Sequence, residues 1–431
     1  MRYDEALAYL DEHATYDKTG RIDSPSLERI ERICSVLGDP QRTAPVIHIT
    51  GTNGKGSTAQ MVTRLLMAKG LRVGTYTSPH LERVNERFMV DSEPISDEEL
   101  AEQVAAIADM SVVAGVQPSY FEICTAAAFR WFADVAVDAM VIEVGLLGRW
   151  DATNVVEAQV AVITNIGVDH TEFAGPTKAH IAREKAGIID PASIVVVGET
   201  EPELVEIFRA EGGASHLVRG LDFDVDGNQL ALGGRMVDLR TPTTIYQDVF
   251  VPLHGRHQAD NAIVALTAVE ALFAGPLSAE VVAEGFASVV MPGRFEVLDY
   301  QPLVIVDGAH NPAGADVCAA VFFEDFDPAG RRLLVIGCLR GRDPLEMLAA
   351  VRADEFHAVV CVTPPSPRGM PAADMAAAAR TLGCDDVRTA STVPAGIDVA
   401  LRDAGSDDAV LVTGSLYVAG AARAHLREVL T

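Results

Sequence analysis

The sequence predicts an α/β fold in two domains: a doubly wound, mostly parallel sheet with a small β excursion, then a second, smaller α/β domain. Three observations predict it. Short apolar runs alternate with helical patterns along most of the chain, which is how parallel strands buried between helices read. At 431 residues the chain is too long for one ordinary core. The alternation breaks at a Gly-, Asp- and Thr-rich stretch, Gly212 to Val251, and starts afresh from Pro302.

In chain order, Asp23 to Leu37 places Leu27, Ile30, Ile33 and Leu37 at helical spacing. Pro45 to Ile49 is a β-rich run, Gly51 to Gly56 a glycine-rich turn, and Ser57 to Ala68 a helical pattern. Val73 to Tyr76 is a second strand. Asp97 to Ala108 and Phe121 to Ala133 are helical, and Ala139 to Val144 and Val160 to Ile163 are strands with polar residues at their ends. The excursion at Gly212 to Val251 predicts short β pieces, and Met291-Pro292-Gly293-Arg294 predicts a hinge. Beyond it come strands at Leu303–Val306, Leu333–Ile336, Ala358–Val362 and Ala409–Val412. Helices fall at Ala313–Phe323, Leu345–Val351, Ala372–Leu382 and Tyr417–Val429. The expected domains are therefore 1–292 and 293–431.

Composition narrows the function. Apolar residues are 49% and charged residues 22% of the chain, as in a packed globular protein. No apolar run reaches the ~18 residues of a membrane span, and Met1-Arg2-Tyr3-Asp4-Glu5 lacks the apolar start of a signal peptide. A cytoplasmic monomer is expected. Cys34, Cys124, Cys318, Cys338, Cys361 and Cys384 are scattered without a CxxC pair, so buried free thiols are expected. A net charge of −27 argues against nucleic acid as a partner. Of 34 basic residues only five are lysine: Lys18, Lys55, Lys69, Lys178 and Lys185. Where arginine is the default cation, a lysine inside a motif points to its compact charge or its amine.

In doubly wound sheets ligands bind at the carboxyl ends of strands. Those ends carry Thr50-Gly51-Thr52-Asn53, Glu143 and Asn165 to His170. Gly51-Thr52-Asn53-Gly54-Lys55-Gly56-Ser57 lies between strand and helix. Its glycines let backbone amides approach phosphate oxygens, Lys55 reaches the outer phosphates, and Ser57 can touch Mg²⁺. Two residues, where a strict Walker A loop has four, separate the first glycine from Gly54-Lys55. Glu143 at a strand end is placed to hold Mg²⁺. A cap or a loop salt bridge is the plainer role for it. His80 and His170 each follow a strand, and a lone histidine is more often structural.

Eight motifs now occur in order: GTNGKGS, SPHL (Ser78 to Leu81), EVGLLGRWDATN (Glu143 to Asn154), ITNIGVDH (Ile163 to His170), EKAGI (Glu184 to Ile188), HGRHQADNA (His254 to Ala262), PGRFE (Pro292 to Glu296) and DGAHNP (Asp307 to Pro312). Together they resemble the folylpolyglutamate synthase and dihydrofolate synthase family of the Mur ligase superfamily. The resemblance implies a P-loop central domain and a Rossmann-like C-terminal domain. It implies an ATP-dependent ligase that adds L-glutamate to a folate or to dihydropteroate through an acyl phosphate.

Residue by residue, it implies ATP contacts at Gly51, Thr52, Asn53, Gly54, Lys55, Gly56, Ser57, Asn261, Arg294 and Asp307. It implies metal ligands at Ser57, Ser78, Glu143 and His170, holding Mg²⁺ at two positions. Catalytic roles fall on Lys55, Lys185, His170 and His310, with Lys185 carbamylated by CO₂. Substrate contacts fall on Phe121, Glu122, Trp150, Asp151 and Ala152. Two departures stand out. Leu147 replaces a glycine of the common GLGGRLDATN, and Trp150 replaces a leucine, so Trp150 either stacks on substrate or packs. A leucine at that glycine position needs negative φ or carries strain. Ser24-Pro25-Ser26 stands where dihydropteroate users can carry Asp-Leu-Gly. A Mur-type ligase of cell-wall precursors and a non-catalytic ATP-binding switch are the alternatives.

Overall fold

The computed structural model describes residues 1–13, 25–169 and 171–429. Asp23, Ser24 and His170 lie outside the described residues; the first expected helix runs Glu28–Val36, shorter than expected because residues 25–27 are not helical. The chain divides into two compact units, 1–252 with 258–289, and 253–257 with 290–431.

The first unit is built on an eight-stranded sheet. Its strands are β1 (Val46–Thr50), β2 (Val73–Tyr76), β3 (Phe88–Val90), β4 (Glu93–Pro94), β5 (Ala139–Glu143), β6 (Val160–Ile163), β7 (Ile194–Val197) and β8 (Ser215–Val218). The order is β4-β3-β2-β5-β1-β6-β7-β8. β1 lies between β5 and β6, parallel to both, and is buried throughout because helices cover both faces. Only β3 runs against the others, antiparallel to both β2 and the edge strand β4. The order reverses direction at β1, the crevice where doubly wound sheets bind ligands.

The β excursion resolves into two parts. β8 completes the main sheet, and β9 (Asp224–Ala231), β10 (Gly234–Arg240) and β11 (Ile245–Val251) form an antiparallel meander. Tyr246 Oη on β11 donates to Glu270 Oε1 (2.6 Å) in the buried helix His257–Phe273.

The second unit holds β12 (Glu296–Tyr300), β13 (Leu303–Val306), β14 (Arg332–Ile336), β15 (Ala358–Val362), β16 (Val387–Ala390) and β17 (Ala409–Thr413), in the order β12-β13-β17-β14-β15-β16. β12 is antiparallel to its neighbour and the rest are parallel. The helix Pro312–Ala320 runs on into a π-turn at Val321–Phe326. All six cysteines are free and buried. Among the described residues no helix is long and apolar enough to cross a membrane.

Candidate active site

The loop after β1 takes the shape that only its glycines allow. Gly51 has φ +151° and Gly54 φ +82°. A Cβ on Gly54 would lie 2.3 Å from Asn261 Oδ1, and one on Gly51 would lie 1.8 Å from Thr164 Oγ1. The helix Lys55–Ala68 starts directly on Gly54 with no side-chain cap, so its first-turn amides are the donors that a phosphate takes.

The loop is fastened to the end of β6. Asn165 Oδ1 accepts from Asn53 N (3.0 Å) while Asn165 Nδ2 donates to Asn53 O (3.0 Å). Thr164 Oγ1 donates to the same carbonyl at 2.7 Å. Thr52 Oγ1 and Gly167 exchange two more bonds. The sequence marks Asn165 only as one polar residue at a strand end. Its two-point pairing with Asn53, across 112 residues of sequence, has no local signal.

Two lysines converge on one carbonyl. Lys55 Nζ donates to Gly51 O (3.1 Å) and Thr52 O (3.3 Å), and Lys185 Nζ donates to Gly51 O at 2.7 Å. Lys185 is only 4% exposed. Burial pushes its pKa well below the ordinary lysine value. The Lys55 charge lowers it further, against the pull of Asp169 and Asp151.

Glu143 closes β5 in a buried position and accepts from Ser78 N at 3.1 Å. Its carboxylate faces the loop: a Cβ on Gly56 would stand 3.7 Å from Oε2. Ser57 is buried in the helix's first turn. Among the described residues no three His, Cys, Asp or Glu side chains gather as a ready metal cage. His80 Nδ1 accepts from Arg87 Nε at 3.0 Å. Burial, with the Arg87 charge, pushes that histidine down to about 3.

The residues expected to face the second substrate divide. Phe121 packs on the backbone of Gly145, where a Cβ would meet its ring at 2.4 Å. Glu122 is engaged within the protein: it caps its helix through Ser119 N (2.7 Å) and takes Arg29 Nε at 3.0 and 3.1 Å. Asp151 is buried, accepting from Leu146 N (2.8 Å), Thr153 N (3.0 Å) and Thr153 Oγ1 (2.6 Å). Burial raises its pKa and those bonds lower it. Ala152 is buried behind it, and Trp150 is 51% exposed, so its ring is not core packing. Leu147 has φ +59°, the strained branch for that substitution, costing about 1 kcal/mol.

In the second unit Asp307 accepts from Phe295 N (2.9 Å) and Ala309 N (2.8 Å), holding the PGRFE turn. Arg294 Nη1 donates to Gly308 O (3.4 Å), and His310 Nδ1 lies 3.1 Å from the same oxygen.

Residues 49–269 match the Mur ligase middle domain and residues 293–416 the Mur ligase glutamate ligase domain. The dihydrofolate synthase/folylpolyglutamate synthase of Mycobacterium tuberculosis is 41% identical, over 94% of this chain and 90% of its own. The chain belongs to the folylpolyglutamate synthase/dihydrofolate synthase family of Mur ligases. A solved family structure, the Mycobacterium tuberculosis folylpolyglutamate synthase complexed with ADP, superposes with a TM-score of 0.91 at 39% identity, covering 98% of each chain. A bifunctional folylpolyglutamate synthase/dihydrofolate synthase with Mn, AMPPNP and L-glutamate bound superposes at 0.87 and 30% identity, covering 99% of this chain and 98% of that one. The middle-domain match contains the phosphate loop, Glu143, Lys185 and Asn261. The glutamate ligase match contains Arg294, Asp307 and His310.

Proposed function

We propose that this chain is an ATP-dependent ligase that joins L-glutamate to the carboxylate of a folate, acting as a cytoplasmic monomer. The observation that carries the reading is the loop Gly51–Ser57, with Lys55, Lys185 and Glu143 gathered on it. The folate and glutamate names of its relatives favour this reading over a cell-wall precursor ligase.

A carboxylate is a poor acyl donor. Its oxygen attacks the γ-phosphorus of ATP, ADP leaves, and an acyl phosphate forms. The amine of glutamate then attacks the acyl carbon, phosphate leaves and the amine loses a proton. The protein's part is alignment and charge neutralisation. The amides of Gly54 to Ser57 and the Lys55 ammonium take the phosphates, and Asn261 braces Gly54. Arg294, Asp307 and His310 are further proposed nucleotide contacts. Phe121, Trp150 and Ala152 are proposed on the folate side, with Glu122 and Asp151 holding the backbone that presents them.

The residues present fit a divalent cation. Glu143 supplies a buried carboxylate beside the phosphate loop, and Ser57 and Ser78 add hydroxyls. One carboxylate with neutral oxygens suits Mg²⁺, which takes the rest of its shell from water and phosphate. Glu143, Ser57, Ser78 and His170 are the proposed holders, and the ion would neutralise phosphate charge. Burial and the Lys55 charge push the Lys185 pKa well below the ordinary lysine value, which favours the neutral amine. Such an amine adds to CO₂, forming an N–C bond and releasing a proton, and the resulting carbamate would hold a second cation.

Lys55→Ala tests the phosphate loop. Turnover falls by about 10²–10³-fold when a preorganised charge at the transferring group is lost. Near-normal ADP formation in that variant, with folate and glutamate saturating, would sink the assignment.

A further inference from the structure

β1 reads Val46-Ile47-His48-Ile49-Thr50, and a histidine at its centre is unusual company for a strand buried on both faces. A step of two puts His48 and Thr50 on one face. Both side chains meet the loop that leaves β5. Thr50 Oγ1 donates to Leu147 O at 2.5 Å, and His48 Nε2 lies 2.9 Å from Thr153 Oγ1.

The proton order along this contact is fixed by chemistry. The Thr153 hydroxyl is 2.6 Å from Asp151 Oδ1, which also takes the Thr153 amide. A carboxylate offers only lone pairs, so the single hydroxyl proton goes to Asp151. The hydroxyl must then accept from the ring. The chain runs from His48 Nε2–H to Thr153 Oγ1–H to Asp151 Oδ1, and Nδ1 carries a bare lone pair. Nδ1 is buried and meets no hydrogen-bond partner among the described residues. Full burial pushes the ring down to about 3, so it is neutral at working pH. An apolar ring of the same size would be cheaper to bury.

This histidine adds to the bonds that hold the loop 145–153, which Arg149 N also ties to Glu184 O at 2.9 Å. Leu147 sits at φ +59°, and Trp150 is half-exposed. Asp151 ties the two arms together through Leu146 N and Thr153 N. Two side chains of β1, the strand that runs straight into the phosphate loop, fasten this loop at Leu147 and Thr153.

We propose that His48 is a positioning residue for the loop 145–153: its Nε2–H fixes Thr153 and Asp151, and thereby sets affinity for the folate substrate. The choice of substrate rests on the function proposed above.

The experiment compares wild type with His48→Phe, His48→Gln and Thr153→Val. The readouts are kcat, both KM values, melting temperature and amide hydrogen exchange across 145–153. His48→Phe keeps the volume and removes the donor. The folate KM rises about tenfold with kcat and the ATP KM within about twofold, the signature of lost uniform binding. Its melting temperature holds or rises, and exchange across 145–153 speeds up. His48→Gln places an amide N–H where Nε2 stood and returns the folate KM to within about threefold of wild type. Thr153→Val repeats the phenylalanine effect, and the double variant is no worse than the weaker single.

An unchanged folate KM and unchanged exchange in His48→Phe overturn the proposal. So does a general loss, with both KM values and the melting temperature moving together and no rescue by glutamine, because that marks a packing residue. If wild type makes no glutamate-dependent product, the function has failed instead. Exchange across 145–153, measured without substrate, then still decides whether His48 holds the loop.

Discussion

Lys185 places a buried amine on the Gly51 carbonyl, the oxygen that Lys55 also uses. Two ammonium groups cannot share that position cheaply, and burial, with the Lys55 charge, pushes the Lys185 pKa well down. The consequence is measurable. Lysine in the unfolded chain binds a proton that Lys185 in the folded chain does not, so stability rises with pH between the two pKa values. In CO₂-free buffer, Lys185→Met is the more stable protein at low pH. The gap closes as pH climbs toward the ordinary lysine value of about 10.4. A gap independent of pH would show that the amine is charged in the folded state. Activity moves the other way: Lys185→Ala loses turnover and regains part of it with added formate, whereas full activity without formate would end the carbamate role. The scarcity of lysine made Lys55 and Lys185 visible in the sequence. His48 was hidden, since a single histidine inside an apolar run reads as core.

At the scale of elements, strand, loop and helix around Gly51–Ser57 were legible because each has a local signature: a β-rich run, glycines, then helical spacing. Strands β1, β2, β5 and β6 of the first unit and β13, β14, β15 and β17 of the second were legible as short apolar runs, whereas β7 (Ile194–Val197) and the helices Lys178–Ala186, Pro202–Glu211 and Val393–Asp403 were not picked out. Nor were strands at the margins. β16, an edge strand, carries Val387-Arg388-Thr389-Ala390, too polar to stand out, and β3, next to the edge strand β4, is only Phe88-Met89-Val90. The helix His257–Phe273 is buried almost all round and so lacks the amphipathic stripe that marks a surface helix. Above all, the sequence showed no trace of what fastens the phosphate loop. Asn165 pairs with both backbone groups of Asn53 as a neighbouring strand would. Asn165→Leu keeps the shape and strips both bonds to Asn53, at a cost of about 1–3 kcal/mol. The expected result is ADP affinity down about tenfold or more by calorimetry, with the folate KM unmoved. Wild-type ADP affinity would mean that the loop holds its shape without Asn165.

At the scale of the molecule, a chain with net charge −27 is read as acting on anions: ATP, a folate and glutamate. That combination works only if cations are concentrated locally and phosphate charge is neutralised on the spot. In the proposed site the loop Gly51–Ser57 would do this with backbone amides and Lys55, beside the Glu143 carboxylate suited to Mg²⁺. The two units each contribute a family domain, the middle domain with the loop and the glutamate ligase domain with Arg294, Asp307 and His310. The charge argues against nucleic acid as the main partner more firmly than it selects among small anions, and the family motifs are shared by enzymes acting on dihydropteroate and on folates. The most direct measurement is therefore a product assay by mass spectrometry, with purified protein, MgATP, L-glutamate and either tetrahydrofolate or dihydropteroate. The expected result is tetrahydrofolate extended by one glutamyl unit for each ADP formed, with product from dihydropteroate marking a second activity at the same site. No glutamate-dependent product from either acceptor, in a protein that binds MgATP, would contradict the ligase assignment.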